Sequence, residues 1–196
     1  MLKLRKGSRV PFPEKLFEGY KIESDRITSN VNADKLTELC RRFIAEHPEA
    51  LYFILELPTK EEDEKEAGKL HTDVYYIDNC SKMEALAIIE RYADMLVNDG
   101  MCSFGFGGHQ SHDEITVGKY NVVTGFSSDL ARLAHIFELA GVKENQELLT
   151  AWKTFTEESP GESTVVEANG LSVYDLPELF LSWGMYFKER REINQL

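Results

Sequence analysis

Glycines crowded into one short span limit how this chain folds more than any other feature of it. Between residues 96 and 123 the sequence reads LVNDGMCSFGFGGHQSHDEITVGKYNVV, with Gly100, Gly105, Gly107 and Gly108 beside two histidines and an acidic pair. Ser103 and Gly105 alternate with Phe104 and Phe106, the period of a strand with one apolar face. A glycine inside a strand weakens it, so Gly105 marks a bulge or a close approach by another backbone or a ligand. Gly107 and Gly108 offer the positive φ that would end the strand. His109-Gln110-Ser111-His112-Asp113-Glu114 then forms a polar tip. The chain turns β-like again at 115–117 and at 120–124, on either side of a Gly118-Lys119 turn. The expected unit is a strand, an exposed polar loop and one or two further strands.

The rest of the chain reads as amphipathic scaffold. Leu36, Leu39, Cys40, Phe43 and Ile44 recur at helical spacing, which predicts a helix over 33–46 with Asn32 as N-cap and Pro48 past its end. Residues 50–57 are apolar on nearly both faces and belong inside a sheet, with 72–77 paired antiparallel beside them. A second helix is predicted over 82–98. Ser81 and Glu84 form its capping box, Met83, Leu86, Ile89 (or Ala87), Ala93 and Leu96 its buried stripe, and Gly100 its positive-φ terminator. Further helices are expected, one carrying Leu130, Leu133, Ala134, Phe137 and Leu139, capped by Ser127 or Ser128 and ended by Gly141, and one at 145–156. A last one is expected at 176–192, capped by Asp175 with Pro177 in its first turn. Trp152, Trp183, Tyr174, Tyr186 and Phe187 then fall at helical spacings and read as core, while Lys188, Arg190 and Arg191 suit the negative end of the last helix. One strand around 19–22 and an edge strand at 164–167 complete the set.

Antiparallel strand pairs interleaved with helices specify an α+β layer sandwich, a mixed or antiparallel sheet with helices packed mainly on one face. Residues 1–16, basic and holding Pro11 and Pro13, read as an irregular or loosely docked N-terminal arm on a single α+β domain of 17–196. At 196 residues the chain can bury a real core.

Charge narrows the partners. The chain carries 34 acidic against 22 basic side chains, a formal charge of -12, which repels phosphate backbones and anionic lipid. Nucleic-acid and membrane binding are therefore not expected, and a basic protein partner is. The dense run Glu61-Glu62-Asp63-Glu64, inside the charged stretch 59–70, supplies candidate residues for such a partner or simply a solvated loop. Cys40, Cys80 and Cys102 are odd in number and far apart, with neither zinc spacing nor a disulfide framework. The basic start lacks the apolar core of a signal peptide, and no apolar run approaches the ~20 residues that span a bilayer. A cytoplasmic protein is the expectation. No heptad or apolar stripe sets an oligomeric state.

His109 and His112 are the sharpest candidates for chemistry, as ligands or as a general base. With Asp113 and Glu114 they form H-x-x-H-D-E, a set from which a divalent metal could be held, and His71 or Asp73 could approach from another strand. The pattern is not the helical HExxH arrangement, and a solvated loop is the simpler account of it. Cys102 could pair with a histidine as nucleophile, but beside Met101 and Phe104 it reads as core. Gly105-Phe106-Gly107-Gly108 leads to polar and β residues rather than to a helix, which excludes a dinucleotide fingerprint, and no cofactor is expected.

A small, acidic, cytoplasmic α+β chain without a catalytic signature is similar in general profile to many bacterial immunity proteins, which bind and neutralise a basic toxin domain. That likeness implies a non-enzymatic protein-binding module with an acidic surface. The alternative is a small metal-dependent or histidine-based hydrolase working at the 102–114 loop.

Overall fold

Side-chain alternation along the strands decides which face of the sheet meets the helices. The computed structural model describes residues 1–47, 50–59 and 71–192. Its strands are β1 (Ser8–Arg9), β2 (Gly19–Glu23), β3 (Arg26–Asn30), β4 (Leu51–Pro58), β5 (His71–Cys80), β6 (Ser103–Gly108), β7 (Glu114–Val117), β8 (Val122–Phe126), β9 (Glu162–Ser163) and β10 (Tyr186–Glu192). Its α-helices are α1 (Ala33–Glu46), α2 (Lys82–Asn98), α3 (Leu130–Leu139) and the single turn α4 (Leu176–Leu179). β1 and β9 make a small pair, and eight strands form one sheet in the order β10-β5-β4-β6-β7-β8-β3-β2, every neighbouring pair antiparallel. The class is α+β.

On β4 the odd-numbered Leu51, Phe53, Leu55 and Leu57 enter the core. Register carries that face across the sheet. Ile77 and Phe106 lie opposite Phe53, Phe104 opposite Leu55, and Ile115 and Val117 opposite the two β6 phenylalanines. Helices α1, α2 and α3 cover this face with Leu36, Phe43, Ile88, Ile89, Leu133 and Phe137. Each such side chain stabilises the fold by roughly 1.5–3 kcal/mol relative to exposure. No helix among the described residues is long and apolar enough to cross a membrane.

Helices α1 and α2 match the ranges that periodicity predicts, and Ser81 and Glu84 make the reciprocal capping box. Three details differ. Asn32 stands at the N-cap of α1, but its side chain accepts from Lys3 N at 2.7 Å instead of capping. The buried face of α2 holds Ala85, Ile88, Ile89, Met95, Leu96 and Val97, whereas Met83 is 81% exposed. Gly100 is not at positive φ; its missing side chain instead admits the backbone of Gly7. Pro48 lies outside the described residues. Asp129, not Ser127 or Ser128, caps α3, and Gly141 ends it at φ 76°.

Larger departures fall at the ends. Residues 19–30 form two strands of a hairpin, not one. Over 145–156 no α-helix forms, because the backbone at 143–145 bonds the edge of β2: Tyr20 N donates to Lys143 O at 2.9 Å and Asn145 N to Tyr20 O at 2.7 Å. A short 3-10 turn, Ala151–Thr154, follows. No strand forms at 164–167; the two-residue β9, Glu162–Ser163, lies just before it. The expected helix at 176–192 stops after α4 and a 3-10 turn, since Gly184 at φ 86° reverses the chain into edge strand β10. Tyr186 and Phe187 are consequently 38% and 53% exposed, and Trp152 is 52% exposed, so these three are surface rather than core. Arg190 and Arg191 serve no helix end. Arg190 grips Asp73 through Nε and Nη2 at 2.6 and 2.8 Å, and Arg191 Nη1 donates to Glu56 at 2.9 Å.

The N-terminal segment carries β1 and a 3-10 turn at Pro13–Lys15 and is held against the rest of the chain. Leu2 and Leu16 pack with Tyr120 and Ala151 in a second small core. Arg5 is buried, and its guanidinium donates to the backbone oxygens of Asp99 at 2.7 Å, Cys102 at 3.4 Å and Gly118 at 2.6 Å. Asp99, itself buried, accepts from the backbone N–H groups of Met101, Cys102 and Val166 at 2.7, 2.8 and 2.9 Å.

Candidate functional site

The helix-free face of the sheet carries the side chains that alternate with the core. Tyr52 on β4, Gly107 on β6 and Glu114 on β7 lie directly opposite one another across three strands. Because Gly107 has no side chain, the Tyr52 ring lies over it, and the phenol donates to Glu114 Oε2 at 2.6 Å. Thr116 Oγ1 donates to the other carboxylate oxygen at 2.8 Å, so the Glu114 carboxylate is fixed on both sides by neutral donors. Gly105 sits in register with no bulge, pressed against the backbone of Ile115 and Thr116. It is the close approach, not the bulge, that its position in a strand implies.

A second carboxylate faces the same space. Asp78 near the end of β5 receives the Tyr186 phenol on Oδ2 at 2.7 Å and meets His109 Nε2 at its Oδ1 at 2.9 Å. Tyr52 packs 5.0 Å from the His109 ring and 5.5 Å from the Tyr76 ring, measured between centroids. Tyr52, Tyr76, Asp78, Glu114, Tyr186 and Lys188, with His109, His112, Phe126 and Gly108, line a cup of about 600 Å³. Arg191 bridges Glu56 lower on the same face. Burial holds the Glu56 carboxyl above its usual range, with Arg191 opposing that shift.

The phenols of the cup resist ionisation. Burial, then the bond to Glu114, drives Tyr52 far above the ordinary phenol value, while the bond to Asp78 is the first cause that takes Tyr186 up to about 12. Tyr20, buried beside Glu138, is also pushed up to about 12. A phenol whose folded pKa is raised stabilises fully below the unfolded value of about 10 and loses that contribution as pH climbs through the folded value. Stability is therefore expected to fall between about pH 10 and 12. A tyrosinate absorbance titration checks this: Tyr52→Phe should remove a phenol that ionises only with unfolding.

The polar loop distributes its candidates among different environments. His112 takes the left-handed turn at φ 57°, which Gly107 and Gly108 were expected to provide; both glycines remain inside β6. His109 and His112 face the cup. The neighbours Asp113 and Glu114 part company by strand alternation. Glu114 points to the cup, whereas Asp113 is buried behind it, paired with Arg132 and 3.7 Å from His47 Nε2. The four residues of the metal proposal thus do not converge, and no group of three or more potential ligands that could hold a metal ion occurs among the described residues. Asp73 is engaged by Arg190 and His71 lies opposite Glu192 on the far strand pair.

Cys102 belongs to the core side. Its Sγ donates to Leu96 O at 3.6 Å, and burial, aided by the Asp99 charge, pushes its thiol far up from the ordinary value. A nucleophile needs the thiolate, which this setting disfavours. Glu61, Glu62, Asp63 and Glu64 lie outside the described residues. Sequence reasoning missed Tyr52, Tyr76, Asp78, Tyr186 and Lys188. The available signal was the alternation Tyr52-Ile54-Glu56 against four core residues on β4, which marks an outward face. Comparison with family models, with curated proteins and with solved structures finds no match to this chain.

Proposed function

We propose that the protein is a non-enzymatic binding module that takes a basic protein partner on the helix-free face of its sheet. The cup carries this reading: two fixed carboxylates, Asp78 and Glu114, stand among four aromatic rings, and Glu114 has no cationic partner among the described residues. Tyrosine presents large contact area at little entropic cost and is enriched where interfaces hold their affinity. The formal charge of -12 would speed the encounter with a basic surface and make it salt-dependent. Neutralisation of a basic toxin domain, as immunity proteins perform it, is the specific form.

The test is recovery of a basic protein by the purified chain at low salt, compared with Glu114→Lys. Recovery that weakens with salt and disappears in the variant, while the variant stays folded by circular dichroism at the assay temperature, is the expected result. Equal recovery by both proteins would overturn it.

The bond between His109 and Asp78 favours a second reading, a histidine-based hydrolase in which Asp78 orients the ring. A His109→Ala/His112→Ala double variant separates the two. It should lose turnover if histidine chemistry operates, and keep nearly all partner recovery if binding is the function. Metal content of the parent and the double variant tests the metal-dependent form.

A further inference from the structure

We propose that the cup formed by Tyr52, Tyr76, Asp78, Glu114 and Tyr186 receives a single arginine side chain of the partner, its guanidinium against the Glu114 carboxylate and over the row of phenol rings. This rests on the binding reading above and names its ligand. The charge balance of the face comes first. Asp73 and Glu56 are already met by Arg190 and Arg191, while Asp78 and Glu114 receive phenol, hydroxyl and imidazole donors only. Lys188 makes no ion pair with a described residue and, the two histidines apart, is the one cationic side chain that lines the cup.

Shape selects the planar cation. Glu114 is held at both oxygens before any ligand arrives, which spares the rotamer entropy that an exposed carboxylate loses on binding. A carboxylate oriented in this way matches the fork of a guanidinium better than a point-charge ammonium, and guanidinium also stacks on aromatic faces. Tyr52, Tyr76 and Tyr186 supply those faces, with ring separations of 5.5 and 6.5 Å along the row. The Tyr76 hydroxyl has no hydrogen-bond partner among the described residues, leaving it available to the ligand. Tyr52 covers Gly107, and Gly108 next to it lines the cup with backbone alone.

The experiment uses three capped pentapeptides, Gly-Gly-X-Gly-Gly with X arginine, citrulline or lysine, titrated into the full chain and followed by amide NMR shifts. The arginine peptide should bind saturably, with shifts centred on residues 104–116. Citrulline, which keeps the shape and loses the charge, should bind about tenfold or more weakly, and lysine should fall between. Glu114→Gln should weaken the arginine peptide about tenfold, whereas Lys188→Gln should tighten it, because a competing cation is removed. Lys188 is exposed on an edge strand, so that variant tests charge without endangering the fold. Equal binding of arginine and citrulline, or weaker binding in Lys188→Gln, would overturn the inference. If no arginine peptide binds while salt-sensitive recovery of a basic protein persists and is lost in Glu114→Lys, the arginine cup fails and the binding module stands. Loss of that recovery as well would remove both.

Discussion

Replacing Arg5 with methionine is expected to destabilise the fold by about 3–5 kcal/mol, since the backbone oxygens it serves lose their donor at about 1–3 kcal/mol for each one left buried and unsatisfied. The side chain is 1% exposed and donates to three backbone oxygens from two separate stretches of chain, Asp99 to Cys102 and Gly118. Asp99 stays behind with its carboxylate buried and loses the nearby positive charge. Methionine fills much of the volume, so the change isolates the polar loss from cavity formation. For a chain of this size the melting temperature should drop by roughly 10 °C, measured by thermal denaturation. Arg5→Lys should recover only part of it, since a single ammonium cannot span oxygens arranged for a fork. Tolerance of Arg5→Met within ~1 kcal/mol would show that the N-terminal segment docks without contributing to the fold.

Gly107→Val sets two effects against each other. Valine favours strands, and β-propensity differences span only about 1 kcal/mol. Against that, a Cβ at 107 runs into the Tyr52 phenol and comes 2.8 Å from Asp113 O. Overpacking costs about 1–3 kcal/mol, and expelling Tyr52 also breaks its bond to Glu114, at about 1.5–3 kcal/mol for a charged acceptor. Steric conflict wins, and a net loss of ~3 kcal/mol is expected by chemical denaturation. The same variant should release a phenol to titrate near its ordinary pH, because Tyr52 then leaves the burial that raises it. A valine that stabilises the protein would mean that the tyrosine does not lie over the sheet.

These two positions also show what the sequence discloses. Helices α1 and α2 were legible to the residue because long amphipathic periods and a capping box agree with one another. The pairing of β4 with β5 followed from their adjacency in chain order. The strand at 186–192 was not legible: the residues before it begin a helix, and only the left-handed Gly184 and the tyrosines waiting on β5 turn them into an edge strand. Of the site, the loop residues His109, His112 and Glu114 were found by their composition. Tyr52, Tyr76, Asp78 and Tyr186 were not, because the cup draws on six strands whose order no local pattern encodes. The separation of Asp113 from Glu114 follows from alternation alone once β7 is known to start at Glu114.

The strand order places the N-terminal hairpin at one edge of the sheet and the C-terminal strand at the other. That arrangement sets a timetable during synthesis. The β2–β3 hairpin leaves the ribosome early, yet its partner in the sheet is β8, with Arg26 opposite Phe126. For nearly a hundred residues of elongation the inner edge of β3 has no neighbour, and Arg5 has none of its backbone oxygens, which lie 94 to 113 positions further on. Contacts this distant slow folding and prolong the exposure of an unpaired strand edge. A hairpin made early and docked late is a natural client for a chaperone, and variants that weaken long-range closure, Arg5→Met foremost, should lower soluble yield in the cell by more than their equilibrium stability alone implies.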